Sequence, residues 1–554
     1  MTKQANIHIR DAHLWSCCQS THVRGEAFDG SSLLDSSQLA SLFAAAEGDD
    51  AFISLLERLN GFFAVVQLTE TVCRIAVDQI RSIPVFYGIC DGLSYVSDDC
   101  HWVQQRVRND PTNEVARAEY LHLGFVTGSD TLCPDVKQCL AGEATFIKES
   151  DRKPDWRHHR YYLYRHEPPK RRSTHEYISD HQRVLEGVFR RLIAKADNRT
   201  IVLPLSGGYD SRLVALMLRM LKYTNVVAFS YGRPGNVEAH YSEQVAADLG
   251  MEWKFVPYSN GMWAEWYHSR ERVRYQQYNG SLSSIMHVQD CPAIWQLLRD
   301  GDIPPDSLVV PGHTGDFVAG GRSSYAPDLY NSDKLDRDRI IDASINYHYS
   351  LWPDRFIDDP MRRSMTERLR QQVQEIISAS AETNGSVFET WNWENRQAKF
   401  IVNSIRVYDF HKLAWWLPLW DKEYLDFWAR APQELRMRKL WYNSFVRMLY
   451  QQVSGKQGLW QTVPVTRRIK KRITQQLRRF AILRAIRKVT RRPPQPMAVY
   501  NSDPLSWYGF IPEAQFGSLY TGSETINSFL AADALGTIMI ADPRSQEADS
   551  VPSK

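Results

Sequence analysis

Residues 201–221 read IVLPLSGGYDSRLVALMLRML, and this stretch decides the fold. Residues 201–205 are a short apolar run suited to a buried strand, and residues 211–221 repeat apolar side chains at helical spacing. Between them lies a strand-to-helix turn made of Ser206, Gly207, Gly208, Tyr209, Asp210 and Ser211. Two glycines let the backbone approach an anion closely, and the start of a helix offers unpaired N–H groups and the positive end of its dipole. The hydroxyls of Ser206 and Ser211 add donors. The turn therefore reads as a phosphate cradle. Asp210 within it would repel phosphate unless a divalent cation lay between them, so Mg2+ is implied.

From Tyr177 onward the pattern is helix, apolar strand, glycine turn and helix, the signature of a doubly wound parallel α/β sheet. Long helices are expected at about 363–380 and 394–408. Before that, FFAVVQL (62–68), CRIAVD (73–78) and IPVFYGI (83–89) alternate with Gly and Asp, which predicts a β-rich first domain. The polar, Arg- and Pro-rich segment 150–173 reads as a connector. The expected domains are thus 1–165, 175–460 and a remainder, 461–554, of which the stretch after 492, mixed in composition and Ser-rich at its end, is expected to fray.

Of the 554 residues, 43% are hydrophobic and 24% charged, so disorder throughout is excluded. A formal net charge of +3 gives no global argument for a nucleic-acid partner. Twelve Lys or Arg and no acidic residue fall within 467–492, which leaves the rest of the chain at −9. In that segment Ile469, Ile473, Leu477, Phe480, Leu483 and Ile486 form one apolar stripe. Two readings stay open: a basic amphipathic helix lying on an anionic membrane, at the inner membrane surface, or on an acidic partner, and a helix packed on the body with a solvated basic face. None of the eight cysteines forms a C-x-x-C pair, and they read as reduced thiols. No signal peptide or spanning run is evident, so a cytoplasmic chain is expected.

Three further stretches carry chemistry. Residues 307–310 (SLVV) read as a buried strand, followed by Pro311, Gly312, His313, Thr314, Gly315, Asp316, Phe317 and then Gly320-Gly321. Residues 417–425 read LPLWDKEYL, and 434–445 read ELRMRKLWYNSF. In the first domain, LNGFFA (59–64) is followed by DQIRSIPVFY (78–87).

The S-G-G-x-D-S turn resembles the pyrophosphate loop of ATP pyrophosphatases, and the later stretches resemble the asparagine synthetase superfamily in particular. The segment around Gly312 is similar to its S-G-E-G-x-D-E…G-G turn, 417–425 to its R-x-P-F-L-D segment, and 59–87 to its glutaminase domain. The resemblance implies an Ntn-hydrolase-like sandwich followed by a doubly wound ATP pyrophosphatase domain. It implies an ATP-dependent amide-forming ligase that activates a small-molecule carboxylate as an acyl-adenylate and transfers it to ammonia or an amine. By resemblance, Ser206, Gly207, Gly208, Asp210, Ser211 and Gly312 bind ATP, and Asp210 and Asp316 hold Mg2+. Lys439 stabilises charge on the pyrophosphate, and Arg406 stands where the family has a basic residue.

Several departures bear on the substrate. His313 replaces a glutamate, and an imidazole there could deprotonate an attacking amine. Phe317 replaces the glutamate after the metal aspartate, and Ala414 and Trp416 stand where E-x-R is expected, which argues against aspartate as substrate. Position 2 is Thr2 where glutamine hydrolysis needs an N-terminal cysteine, so no glutaminase nucleophile is assigned and the first domain reads as inactive. The rival readings are asparagine synthase proper with an external glutaminase, a β-lactam- or lasso-peptide-type cyclase, a tRNA-modifying ATP pyrophosphatase, and a non-catalytic nucleotide-binding scaffold. Homodimerisation is left open. Of the seven tryptophans between 391 and 441, most are expected in the core, with a sugar or peptide platform as the alternative.

Overall fold

The computed structural model describes residues 5–107, 112–148, 155–167, 173–332, 334–353, 355–379, 383–460 and 495–543. The basic segment 467–492, Thr2 and the final residues lie outside these.

The first part contains β1 (Asn6–His8), β2 (Trp15–Cys18), β3 (Thr21–Asp29), β4 (Ser32–Leu34), β5 (Asn60–Leu68), β6 (Val72–Val77), β7 (Phe86–Cys90), β8 (Leu93–Ser97), β9 (Val136–Gln138), β10 (Glu143–Lys148) and β11 (Asp155–Arg160). They form a sheet ordered β11-β10-β6-β5-β3-β2, with β4 on β3, and a second ordered β1-β8-β7-β9. The period-two alternation of β5 explains how the sheets stack. Ala64 and Val66 point into a core shared with Val85, Tyr87 and Val96 of the smaller sheet. Phe63 and Val65 point the other way, onto Leu39, Phe43, Phe52 and Leu56 of two helices. Phe86, Cys100, Val103 and Val136 close the outer face of the smaller sheet. The result is a helix–sheet–sheet–helix sandwich.

The second part is built on β12 (Ile201–Pro204), β13 (Val226–Gly232), β14 (Glu252–Pro257), β15 (Leu308–Val309) and β16 (Ala414–Trp415). All four pairings are parallel, in the order β14-β13-β12-β15-β16. The chain winds outward one way from β12 to β14, then returns to place β15 on the opposite side of β12. Ligands of such sheets bind beyond the carboxyl ends of the strands at this reversal point. The turns after β12 and β15 are the two glycine-rich motifs.

Three expectations are revised. The connector contains β11, which pairs antiparallel with β10 along its whole length. Arg157 of β11 lies 4.4 Å above the Phe146 ring and pairs with Asp49 at 2.8 Å, so a polar sequence makes an edge strand. The helix expected at 394–408 is a π-helix, Trp393–Ile401, a short 3-10 turn and a final α-turn. The described tail, 495–543, is not frayed. Its short helices bury Tyr500, Phe510, Ile511, Phe516 and Phe529 in the main core. Trp263 Nε1 donates to Leu505 O at 2.7 Å, Tyr267 Oη to Asp533 at 2.7 Å and Trp352 Nε1 to Ser528 O at 2.9 Å. Among the tryptophans, Trp391, Trp393, Trp416, Trp420 and Trp428 are buried. No helix among the described residues is long and apolar enough to cross a membrane.

The two parts are clamped by motif residues. Asn60 Nδ2 donates to Asp421 Oδ1 at 3.1 Å, and Lys422 N donates to Asn60 Oδ1 at 2.9 Å. Asp421 also takes both arms of Arg191, at 2.7 and 2.9 Å, and caps the helix Lys422–Ala429 through Glu423 N. Gln79 donates to Trp420 O at 3.2 Å and accepts from Trp393 Nε1 at 3.0 Å. The segment after Leu417 is therefore an anchor between the two parts.

Candidate active site

The turn after β12 is braced by its own side chains. Ser206 N and Gly208 N donate to the Ser211 and Ser206 hydroxyls, each at 3.1 Å, and Gly207 N donates to Glu238 at 2.7 Å. Gly208 caps the helix Tyr209–Met220, so Asp210 stands in its first turn.

The turn after β15 leans directly on it. A Cβ at Gly312 would lie 2.6 Å from Ser211 N and 2.9 Å from Asp210 C, so only glycine allows this approach. A Cβ at Gly315 would lie 2.4 Å from Tyr442 Oη. The contact brings the two aspartates together: Asp316 N donates to Asp210 Oδ2 at 2.9 Å, and Tyr442 Oη donates to Asp210 Oδ1 at 2.7 Å. Asp316 is held from the other side by Arg322 at 3.0 Å and by Thr314 Oγ1 at 3.3 Å. Lys439, in left-handed backbone at the start of the helix Leu440–Ser454, passes its side chain by Gly321 and acts on both aspartates.

Burial and the neighbouring Asp316 carboxylate push Asp210 up to about 6, against the opposing pull of Lys439 and the Tyr442 hydroxyl. Burial would also raise Asp316, but Arg322, Lys439 and Arg396 hold it below the usual carboxylate range. Two carboxylates pressed together in this way are relieved by a divalent cation. Among the described residues no cluster of three metal-ligating side chains exists. A two-carboxylate site suits Mg2+, which keeps most of its sphere for phosphate oxygens and water. The donor set fits that ion.

His313 sits beside this pair with Nδ1 3.5 Å from Ser404 Oγ. Burial, then His287, lower it to about 4, so it is neutral at pH 7. Arg406 is not in the cluster. It is buried between the two parts, paired with Asp409 at 2.7 Å and with Ser82 O at 2.5 Å, and Asp409 also takes Arg24 at 2.9 Å. Its guanidinium serves the interface.

The structure thus brings together Ser206, Gly207, Gly208, Asp210, Ser211, Gly312, His313, Asp316 and Lys439. It adds Tyr442, Arg322 and Arg396, which sequence reading did not find. The Arg after Gly320-Gly321 was a usable signal; Tyr442 and Arg396 had none.

A model of the asparagine synthase family matches residues 185–462, half of the chain. The chain belongs to the asparagine synthase family. At the level of that family it is an ATP-utilising, amide-forming ligase. The match takes in both glycine-rich turns, Lys439 and Tyr442 of this asparagine synthase family member. No curated protein matches the chain. Among solved structures, it is similar to an NH3-dependent NAD synthetase from Campylobacter jejuni subsp. jejuni in complex with the nitrate ion, with 17% identity, 39% of this chain and 93% of that chain covered, and a TM-score of 0.21. It is also similar to a glutamine phosphoribosylpyrophosphate amidotransferase from B. subtilis complexed with ADP and GMP, with 12% identity, 54% and 63% covered, and a TM-score of 0.18. Likenesses this slight bear on neither substrate nor mechanism.

Proposed function

We propose that this protein joins a carboxylate to ammonia or an amine through an acyl-adenylate. A carboxylate oxygen attacks the α-phosphorus of ATP, the bond to the bridging oxygen breaks, and pyrophosphate leaves. The amine nitrogen then attacks the acyl carbon, the bond to AMP breaks, and the nitrogen gives up a proton. The observation that carries this reading is the Asp210–Asp316 pair, brought together at the reversal point of the sheet with Lys439 over both.

Each residue has a task. The backbone and hydroxyls of 206–211 cradle phosphate oxygens at the helix start. Tyr442 and Arg322 fix the two carboxylates, which are the residues that would hold Mg2+. Bound there, the ion neutralises charge on the departing pyrophosphate. Lys439 adds a donor where that charge develops. His313, neutral and weakly basic, is better suited to accept a hydrogen bond from the attacking amine than to carry its proton away.

Phe317 supports a substrate other than aspartate. It is buried, 5.3 Å from the Tyr164 ring and 5.9 Å from that of Trp420, so it serves the core where an acidic residue would face the cleft. The test is a panel of carboxylates with Mg-ATP and ammonium, glutamine or simple amines, scored for AMP against ADP. AMP formation that needs both a carboxylate and Asp210 supports the reading. ADP formation, or an Asp210→Ala variant as active as the parent, overturns it.

A further inference from the structure

A cavity of about 20 Å3 lies between the two parts, walled by Arg10, Arg24 and Asp98 from the first and by Tyr278, Asn403 and Arg406 from the second, among others. A single water needs about 10–15 Å3, so the space takes one water or one ion of similar size. Three guanidinium groups and one carboxylate line it. Asp98 is already engaged, by Arg10 N at 2.8 Å and Trp15 Nε1 at 3.0 Å. Asp409, behind the wall, pairs with Arg24 at 2.9 Å and with Arg406 at 2.7 Å. Arg10 lies 4.2 Å over the Tyr278 ring, with its Nε 3.5 Å from Asp11.

These pairings leave donors over. Arg406 is 4% exposed, yet its Nε makes no hydrogen bond among the described residues, and neither does Arg10 Nε. A buried charged donor left unmet is costly. Burial, then the like charges of Arg24 and Arg10, hold Arg406 below its ordinary value although Asp409 pulls the other way. The cavity is thus short of acceptors and of negative charge. A water would bring two hydrogens that need acceptors of their own, whereas a halide only accepts. The place also bears on the candidate site: Asn403 and Arg406 flank Ser404, whose hydroxyl is 3.5 Å from His313 Nδ1.

We propose that the cavity between Arg10, Arg24 and Arg406 binds a chloride ion, which ties the first part of the chain to the second through guanidinium groups from both. The proposal is independent of the ligase reading above. Crystals of the full chain grown in sodium bromide test it, because bromide scatters anomalously where chloride would sit. One anomalous peak within hydrogen-bond reach of Arg406 Nε is expected; a cavity without anomalous signal, as when it holds an ordered water, overturns the proposal. In solution, the thermal midpoint of the full chain is followed while chloride replaces gluconate, which is too large for the cavity, at constant ionic strength. Each tenfold rise in chloride above its dissociation constant lifts the midpoint by about 1 °C or more. Arg406→Met abolishes that response. Arg10→Met, at a side chain 25% exposed, weakens it and keeps the test open should Arg406→Met not fold. A midpoint indifferent to which anion is present, or a response undiminished in both variants, also overturns it.

Discussion

Asp316 donates its backbone N–H to the Asp210 carboxylate at 2.9 Å, across 106 residues of sequence. This bond joins the two glycine-rich turns, so each aspartate is positioned by the other's loop. Asp316→Asn should lower ATP turnover by roughly a hundredfold or more, with far-ultraviolet circular dichroism unchanged. Turnover within a few-fold of the parent would remove Asp316 from the site.

Asp210 is also a stability statement. Its pKa is raised in the folded state, to about 6 from 3.8, so the folded protein binds a proton more tightly than the unfolded chain. That stabilisation is present at low pH and is lost as pH rises through 6. Without metal, Asp210→Asn should therefore melt no lower than the parent at pH 7.5 while being inactive. A clear fall in Tm in chelator would contradict the like-charge account.

Gly312→Ala places a methyl 2.6 Å from Ser211 N and forces the two turns apart. Affinity for Mg-ATP should fall at least about tenfold, for a strain of roughly 1–3 kcal/mol. Gly517→Ala, with nothing within 4 Å of its Cβ position, serves as the neutral control. Titration of both variants with a fluorescent ATP analogue gives the comparison.

Asp421→Ala takes from Arg191 one of its two carboxylate partners, leaving Glu423 at 2.7 Å, and removes the anchor of Asn60. Asp421 is 3% and Arg191 18% exposed, and the lost charge-assisted bonds should lower stability by about 1–3 kcal/mol, read as a lower denaturation midpoint. An unchanged midpoint would mean that the clamp contributes nothing.

Lys399 supplies a second pH test. Burial lowers it to about 7, where it donates to Val126 O at 3.1 Å and Asn395 Oδ1 at 3.0 Å. The unfolded chain binds this proton up to about pH 10.5, so the lysine's contribution to stability rises between pH 7 and 10.5. The stability difference between the parent and Lys399→Met should shift in the parent's favour across that window. A constant difference would place the folded pKa at its ordinary value.

The β12 turn and Asp316 were legible because strand, glycine turn and helix start are local events, each written within about ten residues. Arg396 was not, because it lies 80 residues from Asp316 on the π-helix, whereas Arg322, six residues past Asp316, left a usable local signal. Arg406 misled for the same reason: its place beside the LPLWD segment gave no sign that Asp409 and Ser82 take its guanidinium. The described tail was misread because helices such as Pro496–Ser502 and Glu513–Leu519 are too short to show a period and are held by packing of the Tyr500, Phe516 and Phe529 rings. The Asn60–Asp421 contact spans 361 residues and leaves no trace in either segment alone.

The central claim is that the acyl carboxylate attacks the α-phosphorus of ATP. A carboxylate that supports turnover, labelled with 18O in both oxygens, is incubated with Mg-ATP and the amine, and the nucleotide and phosphate products are weighed by mass spectrometry. The account predicts one 18O in AMP, with unlabelled pyrophosphate. Label in inorganic phosphate together with ADP, or AMP without label, would contradict it.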